Sequence, residues 1–182
     1  MSDGPAPEVS LRPAVTGDLP RMAAIAVEAY ARYVPRLDGR EPPAMRPNFA
    51  RFVGVGIGVG DGVAWVAEAP PARQPALPPP SAQDLLAYCL ACPDGGPPGG
   101  EGPPGWEIHN LAVDPAAQGM GLGRRLIATA EAEGRARGFA VLRLLTNVVM
   151  VENRALYARL GYRALGERAY RGTRVIDFEK VL

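Results

Sequence analysis

Between Asn110 and Arg125 the chain reads Asn-Leu-Ala-Val-Asp-Pro-Ala-Ala-Gln-Gly-Met-Gly-Leu-Gly-Arg-Arg, and here residue types and spacing can do chemistry. Leu111, Ala112 and Val113 predict a strand end, Asp114-Pro115 a turn, and Leu122, Leu126 and Ala130 one face of a helix. Glycines at 119, 121 and 123 lack the Cβ atoms that would hold a ligand away from the backbone. The helix behind them offers unpaired N–H groups and the positive end of its dipole. Strand, glycine loop and helix together make a site for a phosphate group. Two arginines, Arg124 and Arg125, stand at a helix N-terminus where the dipole disfavours cations, a conflict that an anionic ligand would remove.

Other phosphate loops do not fit. A P-loop requires Lys and Ser/Thr after its last glycine, and Gly123 is followed by Arg124-Arg125. The dinucleotide pattern G-x-G-x-x-G/A meets Arg124 when started from Gly119 and Leu126 when started from Gly121. The pattern that does fit is Gln118-x-x-Gly121-x-Gly123. At these residues the sequence resembles the GNAT superfamily of acyl-CoA-dependent N-acetyltransferases, whose pyrophosphate loop is Q/R-x-x-G-x-G/A. Glu107-Ile-His-Asn-Leu-Ala-Val-Asp-Pro115 before the loop is similar to the family's fourth strand, and Asn153-Arg-Ala-Leu-Tyr-Ala-Arg-Leu-Gly-Tyr162 follows at the family's spacing. The likeness covers Trp106 to Leu182. Before that it extends only to the order of elements. Thr146-Asn147, Met150 and Glu152-Asn153 resemble small, mostly bacterial, stand-alone members.

The resemblance implies acetyl-CoA as acyl donor and no metal. Gln118, Gly119, Met120, Gly121, Leu122, Gly123 and Arg124 would hold the pyrophosphate, mainly through backbone N–H groups, and Asn153 would lie near the pantetheine arm. Leu111, Ala112 and Val113 would serve the thioester and pantetheine through backbone groups freed by a strand distortion. Glu107 would be the catalytic base, directly or through water, and Tyr157 the acid beside the sulfur. The chemistry demands such a base, because an alkylamine with a pKa of about 10.4 is almost wholly protonated at neutral pH. Glu107 as a solvated strand-end carboxylate and Tyr157 as core packing are the bland alternatives. His109, the only histidine, reads as a packing or acceptor-lining residue. Trp106, Tyr30, Tyr33, Met45 and Phe49 are acceptor-lining candidates by position alone.

The elements that must position these residues can be read along the chain. Strands are predicted at Val9 to Pro13, Val63 to Glu68, Leu85 to Cys92, Trp106 to Val113, Val141 to Leu145, Tyr162 to Tyr170 and Val175 to Leu182. Helices are predicted from Met22, around Asn48 to Val55, from Gly121 to Arg137 and from Glu152 to Leu160. The fold class is therefore mixed α/β, with a GNAT-like central sheet of about seven strands flanked by about four helices. Residues 1–182 are expected to form a single domain.

Two inserts interrupt the sheet, at about 69–82 and 93–105. The first carries six prolines in the twelve residues from Ala69 to Pro80, and in the second eleven of thirteen residues are Gly or Pro. Such sequences bury too little apolar surface to offset their ordering entropy, so both are expected to be mobile hairpin loops.

A formal charge of +1 gives no basic field for nucleic acid. The first ten residues lack a basic and apolar leader pattern, and no apolar run reaches membrane-spanning length, so a cytoplasmic, membrane-free protein is expected. Cys89 and Cys92, three apart in a strand, should face opposite sides of the sheet. With one histidine in the chain they fall short of the four ligands of a structural zinc site. The expected function is acetyl transfer from acetyl-CoA to a primary amine of a small molecule or peptide, by direct attack in a ternary complex. The alternative is a non-catalytic acyl-CoA sensor, and a weaker one is an interaction module displaying the Pro/Gly loops. Dimerisation is common in the family, which leaves both a monomer and a homodimer open.

Overall fold

The computed structural model describes residues 9–49, 52–53, 62–70, 84–97 and 102–182. Its centre is a seven-stranded sheet of β1 (Ser10–Pro13), β2 (Val63–Glu68), β3 (Leu85–Pro93), β4 (Trp106–Val113), β5 (Val141–Asn147), β6 (Arg163–Tyr170) and β7 (Thr173–Val181). The spatial order is β1-β2-β3-β4-β5-β7-β6, and only the β4–β5 pair is parallel. A parallel pair needs a crossover, and α2 (Leu122–Ala136) supplies it. α1 (Leu19–Ala31) and α3 (Val151–Arg159) complete three helices among the described residues. The fourth expected helix, around Asn48 to Val55, falls in part outside the described residues. Its described part is a single turn in which Phe52 N and Val53 N both donate to Phe49 O.

The sheet is covered on both faces. One core joins Trp106, Ile108, Leu142, Leu144 and Phe178 to Leu122, Leu126 and Ile127 of α2. The other joins Val66, Tyr88, Leu90 and Ala112 to Met22, Ile25, Ala26 and Tyr30 of α1. Cys89 lies in the first core and Cys92 in the second, as alternation along β3 requires. α2 packs closely because Gly134 carries no Cβ. One built there would meet Leu182 Cδ1 at 2.8 Å and Trp106 Cδ1 at 3.0 Å. α1 is tied to the turn after β4 by the ion pair of Arg21 with Asp114.

Both inserts close at their bases as hairpin connections: Ala69 N donates to Asp84 O, and Asp94 N to Gly105 O, each at 2.9 Å. Residues 71–83 and 98–101, on which the expected mobility rests, lie outside the described residues. The base of the second insert is pinned. Asp94 accepts from Gly96 N at 2.9 Å and Gly105 N at 2.7 Å, and buried Arg143 of β5 donates to Asp94 at 3.0 Å, to Pro103 O at 3.2 Å and to Glu179 at 2.9 Å. Nothing local in a Gly/Pro run announces an anchor that comes from β5.

Candidate active site

The site is made by β4 parting from β5. The two strands pair at Trp106–Leu142, Glu107–Arg143 and Ile108–Leu144, and there the pairing ends. On its other edge β4 pairs with β3 from Asn110–Leu90 to Val113–Ala87, but Ala91 partners Ile108, so His109 is an extra residue in a bulge. The expected distortion of β4 is therefore two residues before Leu111. It switches the alternation of side chains: Trp106 and Ile108 face α2 together with Leu111 and Val113, while Ala112 faces α1. Glu107 is thereby brought onto the face of Asn110 and Ala112.

Backbone groups follow the same logic. Bonded and non-bonded pairs alternate along an antiparallel ladder, and Asp114 N donates to Leu86 O at 2.8 Å. Leu111 and Val113 therefore turn their N–H and C=O groups away from β3, toward the opening that β5 has left. Their carbonyls are satisfied from elsewhere, Leu111 O by Tyr30 Oη at 2.7 Å and Val113 O by Gln118 Nε2 at 3.4 Å. Their N–H groups face the opening.

Two cavities meet there. The first, of about 390 Å³, runs along the glycine loop and is lined by Leu111, Ala112, Val113, Gln118, Gly119, Gly121, Leu122, Gly123 and Arg124 together with Asn153 and Tyr157 of α3. Gly121 caps α2 with left-handed backbone, φ 76°, and Gly119 has φ 87°. These two glycines thus answer to conformation, whereas a Cβ at Gly123 would make only ordinary contacts, 3.7 Å from Leu111 Cδ2 and Val113 Cγ2. Met120 is 56% exposed and its side chain does not line the groove. Of the two arginines, Arg124 lines the groove, whereas Arg125 is explained without a ligand, donating to Val9 O at 2.9 Å.

Arg32 and Arg159 also line this groove, and Arg32 Nη1 donates to Gln118 Oε1 at 3.1 Å. Sequence reasoning missed both. Arg32 arrives only because the end of α1 lies beside the loop, a relation without a local signature.

The second cavity, of about 190 Å³, lies on the other side of the opening. Glu107, His109 and Asn110 of β4 form one wall, Pro42 to Asn48 another, and Asn147 with Tyr170, Arg171 and Thr173 a third. Asn110 is buried and holds the second wall in place: its Oδ1 accepts from Tyr88 Oη at 2.6 Å and its Nδ2 donates to Ala44 O at 3.2 Å. His109 lies against Phe52, ring centroids 5.2 Å apart. Of the aromatic candidates Tyr30 lines both cavities, and Tyr33 lines the loop groove instead. Trp106 is fully buried against Phe139, Met45 is buried in the α1 core, and Phe49 packs on Tyr88.

Tyr30, Leu111, Asn153 and Tyr157 line both cavities and so mark their junction. The two tyrosines differ. Tyr30 donates its hydroxyl hydrogen bond to Leu111 O, whereas Tyr157 Oη has no hydrogen-bond partner among the described residues and its ring rests on Phe178 at 5.5 Å. Burial pushes both hydroxyls well above the usual tyrosine range, so both stay protonated at neutral pH. Glu107 sits close enough to Arg168 to help keep that guanidinium charged, after the larger effect of Asp177.

A loop at a helix N-terminus, a strand edge with outward N–H groups and a second cavity sharing their junction are the parts that an acyl donor and an acceptor require. Residues 66–162 match the profile of the acetyltransferase (GNAT) family. The chain belongs to the GNAT family. It is an acyl-CoA-dependent N-acyltransferase, as its resemblance implied. No curated protein sequence matches it.

The GNAT fold is equally evident in solved structures. The ribosomal-protein-S18-alanine N-acetyltransferase of Escherichia coli superposes with a TM-score of 0.64 at 20% identity, covering 96% of this chain and 94% of that one. The IAA acetyltransferase of Bacillus cereus gives 0.57 at 18%, covering 96% and 100%. An acetyltransferase of Bacillus subtilis, solved in complex with CoA, gives 0.58 at 13%, covering 96% and 99%. At these identities the likeness is one of fold. Among the described residues no group of three His, Cys, Asp or Glu side chains could hold a metal ion, and no helix is long and apolar enough to cross a membrane.

Proposed function

We propose that this GNAT protein transfers an acetyl group from acetyl-CoA to the primary amine of a small molecule, by direct attack in a ternary complex. The observation that carries this is the junction of the two cavities at Tyr30, Leu111, Asn153 and Tyr157, which lets a donor and an acceptor be bound at once. The pyrophosphate of the donor lies against the N–H groups that open α2, with Arg124, Arg32 and Arg159 around it. The N–H groups of Leu111 and Val113 hydrogen-bond the thioester carbonyl and the pantetheine, and stabilise the charge that gathers on the carbonyl oxygen.

The amine nitrogen attacks the carbonyl carbon, a C–N bond forms, and the C–S bond breaks. The amine loses a proton toward Glu107, and the departing sulfur receives one from Tyr157, so that an N-acetyl amide and a free thiol leave. Glu107 is four residues before Leu111, roughly 10 Å along the strand once the bulged residue is discounted. That exceeds the reach of a glutamate side chain, and the proton travels through intervening water. Cys89 and Cys92 are both buried, and burial pushes the Cys89 thiol far up. Neither is placed to carry the acyl group, which favours direct transfer over a covalent intermediate.

Calorimetric titration with acetyl-CoA tests the first half of this reading, using wild type beside Arg124→Glu. Tight binding by wild type that weakens at least tenfold in the variant supports the donor site, and absence of binding by wild type overturns it. Turnover over a panel of amines tests the second half. Binding with no turnover on any amine would point to an acyl-CoA sensor instead.

A further inference from the structure

The tip of the β6–β7 hairpin breaks the preference of its own turn. Tyr170 pairs with Thr173, so Arg171 and Gly172 form a two-residue loop, and both have left-handed backbone, φ 46° and 77°. Loops of this kind favour Asn-Gly or Asp-Gly, because a long L side chain is strained at the first position. Gly172 satisfies the turn and Arg171 does not. A residue that works against its local geometry is expected where something other than the turn has chosen it.

The position of Arg171 says what that is. It lines the acceptor cavity beside Tyr170 and Thr173, and its guanidinium lies 5.3 Å from the centre of the Tyr170 ring. Arg168 flanks the same ring at 5.1 Å but is neutralised by Asp177 at 2.7 Å. Arg46, also on the cavity wall, is bound to Glu41 at 2.9 Å. Among the described residues no carboxylate pairs with Arg171. The cavity thus carries an unspent cation at its hairpin end.

Its carboxylate is at the other end. Glu107 is level with Arg143 of β5 and, across it, with Glu179 of β7, seven residues from Gly172 along that strand. The junction at Leu111 lies between. We infer that the acceptor is a small amine that also carries a carboxylate, the carboxylate bound by Arg171 and the amine turned toward Leu111 and Glu107. Guanidinium meets carboxylate as a two-pronged pair, and stacking on Tyr170 fixes the plane of the fork. A cavity of about 190 Å³ is smaller than those that take drug-sized ligands, which favours a free amino acid over a longer peptide.

This inference rests on the acetyl-transfer reading, and the experiment separates the two. Wild type, Arg171→Asn and Arg171→Lys are assayed with acetyl-CoA on ω-amino acids of two to six carbons, on the carboxamides and plain alkylamines of equal length, and on short peptides. Asparagine is the residue that the turn favours, so Arg171→Asn is expected to melt at or above the wild-type temperature. Its kcat/KM for amino acids should fall by about 10- to 100-fold, the loss of a charged hydrogen-bonded pair, with the carboxamides unchanged. Arg171→Lys should recover part of the loss. Equal loss on amino acids and carboxamides, or a wild type indifferent to the carboxylate, overturns the inference while leaving acetyl transfer standing. Preference for peptides overturns the small acceptor. No turnover on any amine overturns the transfer reading itself and the inference with it.

Discussion

Tyr30 Oη donates to Leu111 O at 2.7 Å, and by doing so it occupies the carbonyl of the residue whose N–H faces the opening between β4 and β5. Tyr157, at the same junction, has no such duty. The two substitutions to phenylalanine should therefore part company. Tyr157→Phe should lower kcat by about 100-fold with acetyl-CoA affinity and melting temperature unchanged, the loss of an acid. Tyr30→Phe should leave the partly buried Leu111 carbonyl without its partner and cost about 1 kcal/mol in urea unfolding. Stopped turnover and denaturation on both variants decide it, and a Tyr157→Phe variant of full activity would remove that residue from the mechanism.

Glu107→Gln should reduce kcat by about 100- to 1000-fold at neutral pH while binding acetyl-CoA as wild type does. In the proposed mechanism the carboxylate accepts the amine proton, so the deficit should shrink as the pH approaches the amine's own pKa and the free amine no longer needs a base. A deficit that stays constant up to pH 10 would mark Glu107 as structural.

Arg143 bridges two nearly buried carboxylates, Asp94 and Glu179, of which only Glu179 has a second ion pair, with exposed Arg163. Arg143→Met should cost about 3–5 kcal/mol, since it strands charges that folding has removed from water. Adding Asp94→Asn should return part of that loss. Urea midpoints of the single and double variants give the comparison, and additive losses would show that the pair is not coupled.

Four tyrosines, Tyr30, Tyr88, Tyr157 and Tyr162, have hydroxyls raised chiefly by burial. A raised folded pKa contributes stability that is complete below the unfolded value near 10 and lost as pH climbs toward the folded one. Above pH 10 stability should fall by up to about 1.4 kcal/mol per pH unit for each tyrosine. Tyrosinate absorbance from these residues should rise together with the loss of far-ultraviolet dichroism, and titration well before unfolding would contradict their burial.

How far the sequence reached depended on how local each feature is. The span Trp106–Val113, the glycine loop and α2 are written in consecutive residues, and periodicity with turn chemistry found them. The predicted helix around Asn48 lies partly outside the described residues, and within them Phe49, Phe52 and Val53 share one turn whose aromatic rings pack on Tyr88 and His109. The paired arginines were read as one signal, yet Arg125 answers to Val9 O and only Arg124 to the groove. The acceptor cavity was illegible, since residues near 44, 109, 147 and 171 become neighbours only through the sheet order.

The bulge at His109 divides one strand into two reading frames. Residues before it are held between β3 and β5, and residues after it by β3 alone. Under the proposed function, substitution upstream would thus redraw what the acceptor meets without changing the backbone assigned to the thioester, so a new specificity could evolve, or be engineered, in half a strand. Deleting His109 would fuse the two frames into one regular strand, in which Glu107 keeps the face of Asn110 and Ala112 and only the bulge is lost.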